Sequence, residues 1–149
     1  MPSESDLIKL YSGKILKMAA EPIYRERLSE PDASVTKRSP LCGSAITVDL
    51  NVESGVITHY GQEVRACALG QASSTIIGKA IVGRSLTEVQ RAYKELSDML
   101  KNEGPTPSKP FEELYMLKPA SEYKNRHASI LLALEATLAA FQQIEKNDC

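Results

Sequence analysis

What this 149-residue chain lacks first is charge of one sign: 18 Lys and Arg stand against 19 Asp and Glu, so no long-range field draws it to nucleic acid or to an anionic membrane. Recognition is expected to be local. It also lacks any apolar run near the ~20 residues that a bilayer span requires, and its N-terminus, MPSESDLIKL, lacks the charged-then-apolar layout of a signal peptide. A cytoplasmic protein without a membrane partner is the expectation. Its three cysteines, Cys42, Cys67 and Cys149, form an odd set without a short framework, which argues against structural disulfides in a reducing compartment. No CxxC or HxxxH spacing, internal repeat or low-complexity segment occurs. With 42% hydrophobic and 25% charged residues, the chain fits one compact domain, 1–149, burying roughly two-thirds of its unfolded surface.

What is present reads as an α+β fold. Leu7, Ile8, Tyr11, Ile15, Met18 and Ala19 recur at helical spacing and predict a leading amphipathic helix from about Ser5 to Ala20. The stretch from Ile23 to Pro40 is charged, broken by Pro31, and reads as an extended connection. From Ser44 to Val52 the sequence alternates, with Ile46, Val48, Leu50 and Val52 on one face and Ala45, Thr47, Asp49 and Asn51 on the other. The second face is expected to meet water or a partner. Glu53-Ser54-Gly55 supplies a turn, and VITHYGQEVRA continues as two further strands separated at Gly61, completing a three-stranded antiparallel meander. Helix formers take over at Cys67 and run to Gly83. Ser85 and Glu88 form a capping box before the stripe Leu86, Val89, Tyr93, Leu96 and Leu100. A short helix through FEELYML closed by Pro119, and a last long helix with His127, Leu131, Leu134, Leu138 and Phe141 on one stripe, complete a helical C-terminal half packed on one sheet face.

Two thiols need an explanation. Cys67 begins a helix, where unsatisfied N–H groups and the positive end of the dipole suit metal ligation or sulfur transfer. Cys42 lies between Pro40 and Gly43 at the entry to a strand, and a meander can bring both thiols to one end of the sheet. Both also fit as small buried hydrophobes, and His127 as a hydrogen-bonded core residue. Cys149, at the terminus, is assigned no role.

Three segments, PLCGSAITVDL, RACALGQASSTIIGKAIVGRSLTE and RHASILLALEA, resemble in order and spacing the ligand-bearing segments of the U-type iron-sulfur cluster scaffold family (NifU/IscU-like). The resemblance runs from about Pro40 to Phe141; Gly-Arg-Ser-Leu-Thr-Glu, the linker before Phe111, and Arg126 look most like the SufU-like subgroup. It implies the same α+β fold and a protein that accepts sulfur from a cysteine desulfurase and assembles a [2Fe-2S] cluster, or binds zinc, on three cysteines and an aspartate. Cys42 and Cys67 match the first two cysteines. Ser44 stands where the family has its aspartate, and Ser129 or, in a register shifted by one, Ala128 stands where it has the third cysteine. The family's Leu-Pro-Pro-Val-Lys chaperone-docking segment is replaced by ASEYK, so Hsp70-type delivery is not implied.

Neutral Ser is a poor ligand for iron or zinc, which makes His127 the candidate third metal ligand beside Cys42 and Cys67, with an open fourth position. The expected function is iron-sulfur cluster assembly, carrying iron, a cluster or sulfur without turnover chemistry, with a cysteine desulfurase and recipient apo-proteins as partners. Two alternatives stay open: a metal-free interaction module on the same fold, and a zinc-bound persulfide acceptor.

Overall fold

The computed structural model describes residues 13–21, 26–39 and 43–147. The predicted leading helix is described from Gly13 to Ala20 (α1), and its earlier residues Leu7, Ile8 and Tyr11 lie outside the described set. α1 buries Ile15 against the next helix in the chain, Ala68–Ala80 (α2). An ion pair between Lys79 and Glu21 at 3.0 Å closes the same contact.

Three antiparallel strands follow in the order β1-β2-β3, spanning Ala33–Arg38, Ala45–Glu53 and Val56–Arg65. β2 is the predicted alternating strand. β1 falls inside the segment expected to be an extended connection, and the two strands expected on either side of Gly61 are one continuous β3. β1 escapes the alternation test because it is an edge strand whose outer half, Thr36, Lys37 and Arg38, carries no apolar residue; charged residues on an edge also discourage pairing with a further strand.

Gly61 has a different cause from the expected bend. It pairs with Asp49 across β2 and β3, and a Cβ there would collide with the backbone carbonyl of Glu26. The 26–28 segment crosses the sheet at this point, and only glycine lets it lie so close. Asp49 holds the same segment down. Its carboxylate accepts from Arg27 Nε at 2.7 Å, Arg27 Nη2 at 3.1 Å, the Leu28 N–H at 2.9 Å and Ser34 Oγ at 2.6 Å. The sheet face expected to meet water is therefore covered at Asp49, which is fully buried. The β2–β3 hairpin turns through Ser54 and Gly55, both with positive φ (52° and 81°), the signature of a two-residue turn matching strand twist.

The opposite face, with Ile46, Val48 and Leu50, carries the core. On it lies the C-terminal helix Lys124–Asn147 (α4), packed against β1, β2, α2 and the helix Leu86–Lys101 (α3). Because α4 is covered on several sides, it buries Ile130, Leu131, Leu132, Ala133, Leu134 and Ala136 consecutively or nearly so, more than the single stripe expected. α3 starts at the predicted capping box, with both reciprocal bonds between Ser85 and Glu88 present. The segment before α4 departs from expectation: a 3-10 helix runs Glu112–Glu122 with Pro119 inside it. Phe111, Leu114, Leu117 and Ala120 are buried at every third position, the spacing that three residues per turn place on one face.

Candidate functional site

Cys67 is the N-cap of α2. Its backbone is extended and its carbonyl accepts the Gln71 N–H at 2.9 Å, but its side chain makes no capping bond. The sulfur is left for other partners. Gln71 Nε2 donates to the Ala66 carbonyl at 2.8 Å and fixes the turn that delivers it. Cys67 is a free thiol of intermediate exposure.

Its sulfur lies 3.7 Å from Ser129 Oγ on the second turn of α4, and Ser129 Oγ lies 3.0 Å from Ser44 Oγ at the entry to β2. Both serines are 2% exposed. Three segments distant in sequence thus converge: the β1–β2 loop, the start of α2 and the start of α4. The loop is closed by Ser39 and Ser44, with the Ser39 N–H donating to the Ser44 carbonyl at 2.8 Å, and Gly43 turns it with φ of 68°. Gly70 makes the convergence sterically feasible. A Cβ at that position would strike Ser129 Oγ and sit 2.8 Å from Ala66 Cβ.

Of the two serine-register alternatives, it is Ser129, and not Ala128, that reaches Cys67 and Ser44. Cys42 lies outside the described residues. His127 is described and buried, 6% exposed, but it is engaged elsewhere. Its Nε2 lies 3.1 Å from the carbonyls of both Ala120 and Ser121, so that nitrogen carries the proton and ties the end of the 3-10 helix to α4. At 100° per residue, positions 127 and 129 face nearly opposite sides of a helix. His127 lines a cavity of about 460 Å³ with Leu100, Lys101, Leu131 and Glu135. The geometry therefore argues against the expected role of His127 as a ligand beside Cys67. The sequence marks Ser44 and Ser129 as substitutes for ligands but carries no sign that they bond to each other; the glycine within CALGQASS is the one signal that something packs closely there.

Among the described residues, no three His, Cys, Asp or Glu side chains are grouped where they could hold a metal ion. The described donors that converge, one thiol and two hydroxyls, do not by themselves make up the ligand set of an iron or zinc centre.

The family described as NifU-like N terminal domain matches residues 10–129. The chain belongs to this family. The crystal structure of a nitrogen-fixing NifU-like protein (N-terminal) from Brucella abortus is 39% identical, with a TM-score of 0.92 over 95% of this chain and 98% of that one. The iron-sulfur cluster assembly scaffold protein IscU of Thermotoga maritima is 25% identical over 137 residues, 92% of this chain and 96% of its own length. A putative iron-sulfur cluster assembly scaffold protein for the SUF system from Fervidobacterium islandicum shares the fold at a TM-score of 0.79 and 18% identity, over 89% of this chain and 97% of its own. The family match thus takes in the whole sheet and reaches the first turns of α4, and the Brucella abortus structure covers the remainder of the architecture nearly end to end. Among the described residues, no helix is long and apolar enough to cross a membrane.

Proposed function

We propose that this NifU-like domain is an iron-sulfur cluster assembly protein that carries sulfur, iron or a [2Fe-2S] cluster transiently on Cys67 and Cys42. It works as a carrier and not through turnover chemistry. The observation supporting it is the convergence of the Cys67 sulfur with Ser129 and Ser44 at the N-terminus of α2, within a family whose relative in Thermotoga maritima is named a cluster assembly scaffold. A thiol whose side chain is not spent on capping its own helix keeps its sulfur available for transfer or ligation. The sulfur donor is a cysteine desulfurase and the recipients are apo-proteins. His127 is left out of the ligand set, because it lies about 200° around α4 from Ser129, the residue that meets the Cys67 sulfur.

The replacement of charged or thiolate ligands by Ser44 and Ser129 favours a second reading, a metal-free interaction module, while zinc held with persulfide on one thiol is the third. Anaerobic purification followed by assay of iron, zinc and acid-labile sulfide, in the natural sequence and in Cys42→Ala and Cys67→Ala, separates them. Cluster or iron that is lost in either cysteine variant supports the carrier. Zinc lost in the same variants supports the zinc-bound acceptor. A protein that takes up neither metal on reconstitution nor one sulfur atom by intact mass, after incubation with a desulfurase and cysteine, is the interaction module.

A further inference from the structure

We infer that Ser129, backed by Ser44, is a positioning residue for sulfur carried on Cys67; this rests on the carrier reading above. Three of the hydroxyls on α2 and α4, those of Ser73, Ser74 and Thr137, donate to backbone carbonyls. Ser74 donates to the Gly70 carbonyl at 2.9 Å and Thr137 to the Ala133 carbonyl at 2.7 Å, each four residues back on its own helix. Ser73 crosses to the Ile130 carbonyl at 2.6 Å and pins α2 to α4. Ser129 is the one of these four that meets a thiol, and it also meets the Ser44 hydroxyl, in space cleared by Gly70.

The arrangement has a direction when the sulfur is anionic. A sulfur anion can only accept, so the Ser129 hydroxyl donates to it, and its oxygen is then left to accept from the Ser44 hydroxyl. Each bond polarises the next, and a bond to an ion is stronger than a neutral one. In the transfer, the Cys67 thiolate attacks the outer sulfur of a persulfide on the donor enzyme. A new S–S bond forms on Cys67, the donor's S–S bond breaks, and its electron pair leaves on the donor cysteine as thiolate. No net oxidant or reductant is needed. Ser129 holds the attacking sulfur in one orientation and stabilises the anion before and after the step.

The test uses Ser129→Ala and Ser44→Ala in the full chain, with folding checked by circular dichroism. Two readouts are taken at Cys67 by peptide-resolved mass spectrometry: the pH profile of iodoacetamide alkylation, and the rate of sulfur uptake from a desulfurase with cysteine. Removing Ser129 is expected to move the alkylation profile to higher pH and slow uptake about tenfold, the loss of one charge-assisted hydrogen bond, with Ser44→Ala shifting both less. If both folded variants match the natural sequence in profile and rate, the positioning role is overturned. If the natural sequence takes up no sulfur, sulfur carriage on Cys67 fails, while the alkylation profile still decides whether the hydroxyls act on the thiol. Should Ser129→Ala not fold, Ser44→Ala decides, since an unchanged profile there overturns the relay.

Discussion

Two polar clusters flank the same strand five residues apart, and they are built on opposite principles. At Asp49 a fully buried carboxylate has four hydrogen bonds from three residues, including both ends of the Arg27 fork. At Ser44 the donors and acceptors are neutral, and the Cys67 sulfur has a single described partner at 3.7 Å. The first cluster is closed and holds the 26–28 segment onto the sheet. The second is under-committed, which is what a carrier needs: a sulfur already saturated with short bonds would lose them on every transfer.

The sharpest way to break the comparison is Asp49→Asn. It keeps the shape, removes the charge, and turns an NH₂ donor toward Arg27 or the Leu28 N–H. Truncating one partner of a buried ion pair costs about 3–5 kcal/mol, and the 46% exposure of the Arg27 side chain brings the expectation down to about 2–3. The effect depends on pH with a definite sign. Burial by itself raises the Asp49 pKa, but hydrogen bonds from Arg27, Ser34 and Leu28 outweigh it and hold the carboxyl below its ordinary value. Its contribution is thus fully present above the unfolded value, about 3.9, and is lost as pH falls through the folded one. Urea unfolding of both proteins should show a stability gap that narrows below about pH 4, with sulfur uptake by Cys67 unchanged at neutral pH. A gap constant across that range would mean that the carboxylate is not the stabilising group.

Gly70→Ala disturbs the other cluster. The added methyl must displace Ser129 Oγ, and the strain of overpacking, about 1–3 kcal/mol, is partly offset by the better helix propensity of alanine, about 1 kcal/mol. Stability measured by thermal unfolding should fall by about 1–2 kcal/mol. The alkylation profile of Cys67 should move in the same direction as in Ser129→Ala. A profile that stays put while stability falls would separate packing at Gly70 from the hydroxyl relay.

These two clusters also mark what the sequence makes legible. β2 is visible because its apolar residues alternate over a half-buried face, and Cys67 because strand-like residues give way there to helix formers. β1 is not, since an edge strand with only Ala33 and Val35 apolar has too little burial to leave a period. Gly61 looks like a break because its reason lies in Glu26 and Leu28, residues on another segment that no local window contains. The 3-10 helix left its mark in Phe111, Leu114, Leu117 and Ala120, but Pro119 suggested a stop where a helix of poorer hydrogen bonding tolerates it. At the site itself, one residue of register is a rotation of 100° around α4. Two such steps, about 200°, separate Ser129, which faces the thiol, from His127, which shares an apolar stripe with the core.

The smallest expected effect sharpens that last distinction. In His127→Ala the carbonyls of Ala120 and Ser121 lose their shared donor, but Ser121 and the imidazole that is removed both line a cavity of about 460 Å³, so water can come into the vacated space. The cost should therefore be only about 1 kcal/mol, the net worth of an ordinary hydrogen bond, and not the penalty of an unsatisfied buried group. Thermal unfolding reads that term. Iron, zinc and sulfide content and the Cys67 alkylation profile should all match the natural sequence, because the imidazole fastens one helix to the next and the sulfur lies on the far side of α4. Metal lost from a folded His127→Ala protein would reverse that assignment and return the imidazole to the ligand set beside Cys42 and Cys67.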